Sequence, residues 1–513
     1  MTGYGWDYIS EIEYTHGYYI ELSPVHATET LRMAGLSRPG RPGRYLELGF
    51  GQGLSANIHA AATGIEIWGA DINPTHATGA QEIAVAADTG ATLFDQSFAE
   101  LLDRPDLPQF EMIALHGIWS WVNESARRII IEIARRHLAP GGVFYISYNI
   151  QPGWAPYVPL RELLKLHVDR SGTRETISDR IGAALDFAQK IADSGAAYFR
   201  ANPLAAERLK QMQGQPRAYL AHEYLNPVWE PMPFSEVCRW LDAAKLGFAA
   251  RAALLEDIDA AHLTPEGSAL LAGIADPVMR QGVRDFFLGE QFRRDYFVRG
   301  ARRLPVLDHL AALRTLRVVL ARRPEEIELK FQGVRGEAQL DAQVYTPVIE
   351  SLAADGLRAR PMREIEATLS PRGITIIQIL EAAKILVGKN DLFFAQEEAI
   401  AASATTKTRK LNRYLMQRAA ASSDMAFLAS PVTGGGVPVS RIEQLFLLAR
   451  EAQAAAPAAW ASHAWRIFAS QGQSLIKDGK PLEGEADNVA ELTRQAEVFA
   501  TQRLPVLVSL GIA

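Results

Sequence analysis

The chain has 513 residues, more than one hydrophobic core accommodates, so about three domains are expected. Its 53 basic and 59 acidic residues leave a net charge of −6, which gives no electrostatic reason to expect nucleic acid or an anionic membrane as a partner. A single cysteine, Cys238, excludes an internal disulfide framework and a cysteine-rich zinc site. No uncharged apolar run reaches the ~18–20 residues of a membrane span. The start, MTGYGWDYISEIEY, lacks the basic and apolar regions of a secretory signal, so a cytoplasmic location is expected.

From Arg44 onward strand and helix patterns alternate. RYLELGF reads as a strand followed by a helix through Ala62, and IEIWGADI as a strand followed by a helix through Asp88. A short strand ATLFD, the turn SFAELLD, the strand EMIALHG, the helix ESARRIIIEIARRHL and the strand VFYISYN follow. Such alternation predicts a parallel sheet with right-handed crossovers. Residues 151–215 read as a helical insertion. The rhythm resumes at PFSEVCRWLDAAKLGFAARAAL, a helix expected to end at Gly247 and run into a strand, completing the sheet by about residue 260. Residues 261–320 read as helical. Residues 325–400 mix helices with IELKFQG and DLFFAQ, and 405–513 are helical around a turn at Gly434–Gly436.

The stretch LELGFGQG (46–53) places glycine at positions 49, 51 and 53, at the junction of a strand and a helix. Each costs about 0.5–1 kcal/mol against alanine, so the backbone must be bare for a reason. A dinucleotide fingerprint wants G-x-G-x-x-G, but Leu54 stands in the last glycine's place, and Glu47 would repel a pyrophosphate. S-adenosylmethionine has no phosphate, and its methionine end is cationic, which suits Glu47; its carboxylate suits the helix N-terminus after Gly53. Asp71 ends the next strand, where an acid accepts from both ribose hydroxyls, and Asp95 ends the third, placed for the adenine amino group. The expected cofactor site is therefore Glu47, Gly49, Phe50, Gly51, Gly53, Asp71, Ile72, Asp95, Gln96, Ser97, His116 and Trp119, with S-adenosylmethionine as the cofactor and no metal.

With these residues the chain resembles class I S-adenosylmethionine-dependent methyltransferases, and more narrowly bacterial proteins joining that domain to a methyltransferase regulatory domain. HGIWSWV (116–122), LAPGGVFYISYNIQPGW (138–154), AYLAHEYLNPVWEPMPFSEV (218–237) and, more weakly, LASPVTGGGVPVSRIEQLFLLA (428–449) carry the resemblance. It implies a Rossmann-like methyltransferase domain, which agrees with the α/β alternation and helical insertion read above; mostly α C-terminal domains follow, and the mixed pattern of 325–400 reads as a winged-helix-like unit. The expected divisions are an N-terminal helical segment over the active site (1–43), the cofactor-binding core (44–150), the insertion (151–215), sheet completion with a regulatory-domain-like segment (216–320), the winged-helix-like unit (321–400) and a helical domain (401–513). Family members include protein-lysine methyltransferases acting on bacterial outer-membrane proteins. The resemblance thus implies a protein acceptor, with a small molecule or saccharide, or a non-catalytic binding role, as the alternatives.

Methyl transfer from a sulfonium is an in-line displacement that rests on alignment and desolvation. Aromatic faces attract the sulfonium, and a dry aromatic channel lowers a lysine's pKa. Tyr14, Tyr18, Tyr19, Trp121, Tyr148, Asn149 and Trp154 are the expected acceptor-side residues. His116 and Tyr148 are the expected catalytic pair, His116 reading equally as a base or as a group orienting backbone. The pair His222–Glu223 lacks a second histidine four residues on and reads as structural. Acidic residues outnumber basic ones between Glu325 and Glu398, which opposes phosphate binding. The C-terminal half therefore reads as a platform for the acceptor rather than for the cofactor.

Overall fold

The computed structural model describes residues 17–37, 43–171, 176–454 and 456–513. Eight strands form the central sheet: β1 Arg44–Leu48, β2 Glu66–Asp71, β3 Thr92–Asp95, β4 Phe110–Leu115, β5 Leu138–Gln151, β6 Met232–Pro233, β7 Leu246–Arg251 and β8 Phe292–Arg299. Their order is β3-β2-β1-β4-β5-β8-β7, with the short β6 paired to β5. β1 to β5 are parallel; β8 runs antiparallel to both β5 and β7. The strand order reverses between β1 and β4, so their carboxyl ends open the crevice in which such sheets bind ligands. Parallel strands are covered on both faces, and β1 accordingly buries every residue after Arg44.

The sheet ends later than its sequence pattern predicts. β8 lies inside the region read as helical and sits in the middle of the antiparallel half. Its sequence, FRRDYFVR, hides it: Arg293 and Asp295 are fully buried and pair with each other, so polar letters stand where apolar ones signal a strand. The helix before β7 also ends differently. Lys245, at φ +60°, makes the left-handed stop expected of Gly247.

Helix α1 (Pro24–Met33) starts with Ser23 accepting from the His26 N–H and Pro24 at the first position. Helices α2 (Leu54–Thr63) and α3 (Pro74–Ala87) follow β1 and β2. Four helices, Val158–Arg170, Ile177–Asp193, Ala197–Ala201 and Pro203–Gln213, form the insertion around its own apolar cluster. Residues 317–394 place Arg317–Leu320 between Arg360–Pro361 and Leu392–Phe394 in an antiparallel sheet, packed with helices Ala342–Ala353, Met362–Leu369 and Ile376–Gly388. No helix among the described residues is long and apolar enough to cross a membrane.

The C-terminal half packs on the helices behind the glycine turn. Every residue of α2 is buried. One side meets the sheet, and the other joins a cluster in which Leu54, Ile58, Ile83 and Ala87 meet Leu411, Leu415, Met425 and Leu428. A helix apolar on all sides must be covered on all sides. The long helix Glu398–Ala419 and the hairpin Phe427–Ser430/Gly435–Pro438 supply the second cover. Gln396 ties the two halves, its Nε2 donating to the carbonyls of Ala62 (2.8 Å) and Pro431 (2.7 Å).

Candidate active site

Gly49, Gly51 and Gly53 all have positive φ, at +72°, +57° and +70°. A side chain at Gly49 would collide with Ile118, and one at Gly53 with Ala80. The alternate glycines thus serve a left-handed turn pressed between neighbours. Asp71 holds that turn from β2: its Oδ2 accepts from the Gly51 N–H at 2.8 Å and its Oδ1 from the Asn73 N–H at 2.9 Å. The turn forms the floor of a cleft at the carboxyl ends of β1, β2 and β4.

Glu47 lies in this cleft, 3% exposed, and no cation of the described residues pairs with it. The Tyr45 hydroxyl donates to its Oε2 at 3.2 Å. Burial pushes its carboxyl up to about 8; Tyr45 opposes that shift and the Asp71 charge adds to it. A carboxylate so placed is stabilised by any cationic ligand group that enters beside it.

His116 follows β4 on the opposite wall. Its ring stacks on Tyr19, centroids 3.8 Å apart, and its Nδ1 is 2.8 Å from the Tyr145 hydroxyl. Burial, and then the Arg294 charge, push its pKa down to about 3, so the ring is neutral at physiological pH. The N-terminal segment is held over the cleft by Glu21, which pairs with Arg294 at 2.7 Å, while the Glu21 carbonyl accepts from the Tyr296 hydroxyl.

Glu47, Gly49, Phe50, Gly51, Gly53, Asp71, Ile72, Ser97, His116, Tyr19 and Trp121 all line the cleft. The other expected positions do not form its wall. Asp95 sits opposite Asp71 in the β2–β3 register with its side chain exposed, and Gln96 contributes its N–H to the Asp71 carbonyl at 3.1 Å. Trp119 is fully buried on the other face of the sheet, edge-on to Trp240, because the short turn Trp119–Trp121 sends its two tryptophans in different directions. Tyr148 points away from the cleft and donates to Asp295 Oδ2 at 2.6 Å. Alternation along β5 explains this: Tyr145 and Tyr148 are three residues apart and occupy opposite faces, and Tyr145 has the face that meets His116. Asn149 is buried, its N–H bonded to the Ser120 hydroxyl at 2.9 Å.

Trp154 packs in the insertion's core, 5.0 Å from Trp229. Tyr18, next to Tyr19 but facing the other way, bonds His59 Nε2 at 3.1 Å and packs on Gly436. Tyr14 lies outside the described residues. The sequence reading also passes over wall residues that only the fold brings here, Phe98, Ile118, Asn123, Asn226 and Val228, and it takes as structural Glu223, which lines the same cleft. None of them carries a local signal beyond its place after a strand or in the segment following the insertion.

Residues 46–146 match the model of a methyltransferase domain, and residues 216–299 match that of a "Predicted methyltransferase regulatory domain". An uncharacterized protein of Synechocystis sp., sll1526, is 39% identical over 510 residues, 99% of each chain. An uncharacterized Rickettsia prowazekii protein, RP028, is 25% identical over 42% of this chain and 87% of its own. Among solved structures, PKMT2 from Rickettsia typhi in complex with AdoHcy superimposes with a TM-score of 0.71 at 16% identity, covering 97% of this chain and 100% of that one. The glycine turn, the sheet order and these matches along the whole length converge: the chain belongs to the class I S-adenosylmethionine-dependent methyltransferases that carry a methyltransferase regulatory domain.

Proposed function

We propose that this enzyme N-methylates lysine side chains of a protein acceptor in the cytoplasm. The observation that carries the reading is the cleft itself: a buried carboxylate without a paired cation at one end, and a neutral, aromatic wall of Tyr19, His116 and Trp121 along its side. The whole-length likeness of fold to PKMT2 of Rickettsia typhi, together with the resemblance of the motifs to protein-lysine methyltransferases, supports a protein acceptor, including a surface or outer-membrane protein met before export.

The residues present fit S-adenosylmethionine. Glu47 would take its ammonium, Gly53 to Ser55 at the first turn of α2 its carboxylate, Asp71 its ribose hydroxyls, and Ile72, Ser97 and Phe98 its adenine. The bound cofactor supplies a methyl group on a sulfonium, open to in-line displacement. The chain's own residues align the acceptor and exclude water, worth up to ~7–11 kcal/mol from orientation. His116 is too weak a base, at about 3, to take a lysine proton. It acts as a neutral wall, held by Tyr145 and Tyr19.

Asp71→Ala should weaken cofactor binding tenfold or more, read by calorimetry. It removes the ribose partner and also frees the Gly51 and Asn73 N–H groups, each such bond to a charged acceptor being worth about 1.5–3 kcal/mol. Unchanged affinity would remove Asp71 from the site. To test the acceptor class, the protein is incubated with methyl-labelled S-adenosylmethionine and bacterial lysate. Label is expected in protein, as methyl-lysine after acid hydrolysis. Label confined to small molecules or saccharide would replace this reading.

A further inference from the structure

The segment after the insertion contributes to the cleft in a way that the word regulatory does not describe. The helix Arg217–Leu225 ends beside the cleft. From it and the residue that follows it, Glu223 and Asn226 line the same cavity as Glu47, His116 and Trp121.

The chain from 226 to 230 is clamped in place. The Glu230 N–H donates to the Ser120 carbonyl at 2.9 Å, and Glu230 pairs with Arg127. Arg161 donates to the Asn226 carbonyl and lies 4.7 Å over the Trp229 ring, which in turn contacts Trp121 at 6.4 Å between centroids. These contacts fix Glu223 and Asn226 on the Trp121 side of the cleft.

Both side chains carry acceptor atoms without partners. Asn226 is 1% exposed, and its Oδ1 has no hydrogen bond. Among the described residues Glu223 has neither a hydrogen bond nor an ion pair, although Arg208 and Arg161 are near enough to oppose the effect of burial, which pushes its carboxyl up to about 7. The buried Asn226 Oδ1 is costly unless something donates to it, and the half-buried Glu223 carboxylate beside it lacks a partner as well. Among the described residues the cleft therefore holds two carboxylates that no cation pairs with, one at the glycine turn and one on the regulatory segment, whereas the donor molecule has a single ammonium.

Resting on the lysine reading above, we propose that Glu223 and Asn226 form the acceptor subsite and bind the side-chain ammonium of the incoming lysine. An ammonium approaching a sulfonium meets a like charge, and a carboxylate beside its path offsets that repulsion; the docked ammonium then gives up its proton to water, and the neutral amine takes the methyl group. A neutral hydroxyl acceptor has no such need, so the second carboxylate selects for a cation. The same three-donor ammonium can donate to the Glu223 carboxylate and to Asn226 Oδ1.

The test uses the full chain, methyl-labelled S-adenosylmethionine and bacterial lysate proteins as acceptor, with methyl-lysine quantified after hydrolysis. Glu223→Gln keeps the shape and removes the charge. Its cofactor affinity should stay within about twofold of wild type. At limiting acceptor its methyl-lysine yield should fall at least tenfold and recover as acceptor is raised, a KM effect that Glu223→Asp partly rescues. A yield above half of wild type with normal cofactor affinity would overturn the assignment. An equal loss of cofactor affinity and turnover would overturn it too, by moving Glu223 to the donor side. Wild-type label in protein but on no lysine would refute the lysine reading, and this subsite with it.

Discussion

Glu47→Gln is expected to weaken S-adenosylmethionine binding about a hundredfold and to abolish its pH dependence. In the free protein burial holds the Glu47 carboxyl near 8, far above its ordinary 4.5, so at neutral pH it carries a proton. An arriving ammonium favours the ionised form, and the proton leaves. Removing one member of a buried charge pair costs about 2–5 kcal/mol, which brackets the hundredfold loss. The sign with pH follows. Between about pH 6 and 7.5 each complex formed releases a proton, so affinity should rise roughly tenfold per pH unit. The rise should stop near pH 8, where a free α-amino group itself begins to lose its proton, at about 7.7–8.0. Without ligand, the folded chain holds a proton at Glu47 that the unfolded chain releases above about 4.5. This group's contribution to stability therefore diminishes as pH rises from there through about 8. Calorimetry in phosphate and Tris buffers reads the released proton directly. Equal heats in the two buffers, or native affinity in the Glu47→Gln variant, would show that Glu47 does not meet the ligand cation.

A chain ended near residue 320 is expected to lose cofactor affinity along with stability, although the sequence pattern alone leads one to expect cofactor binding to survive. The reason is α2, whose first turn carries the glycine floor of the cleft and whose outer side is covered by residues beyond 398. Exposing Leu54, Ile58 and Ile83 alone would cost roughly 1.5–3 kcal/mol each. That sum rivals the ~5–15 kcal/mol stability of a whole domain. Truncation also removes Gln396 from the Ala62 carbonyl and the hairpin from Tyr18. Thermal unfolding and calorimetry on chains ended at two or three nearby points would show it. A folded, monomeric truncation with native affinity would mean that the C-terminal half serves the acceptor alone. The substitution Gln396→Ala in the full chain should lower the melting temperature by a few degrees, the loss of two buried hydrogen bonds at about 1 kcal/mol each.

The floor of the cleft was legible in the residues themselves. Glu47, the three glycines and Asp71 are local: they sit at strand ends and in one tight turn, where residue type and spacing dictate backbone conformation. The alternation from Arg44 to Asn149 specified the parallel sheet for the same reason, since buried strands and amphipathic helices each follow their own period. Folding in three dimensions settled which side chains meet across distance. Tyr148 and Trp119 have the right chemistry and the wrong face, because strand alternation and a short turn aim them at the core. β8 escaped notice because Arg293 and Asp295 satisfy each other inside the sheet. Glu223 and Asn226 reach the cleft only through a clamp between residues about a hundred positions apart, Glu230 on Ser120 and Arg127. The burial of α2 on its outer side depends on a helix more than 300 residues later, from Glu398 onward. Such pairings leave no periodic trace in the chain, because their energy comes from packing and charge between segments rather than from the conformation of either one.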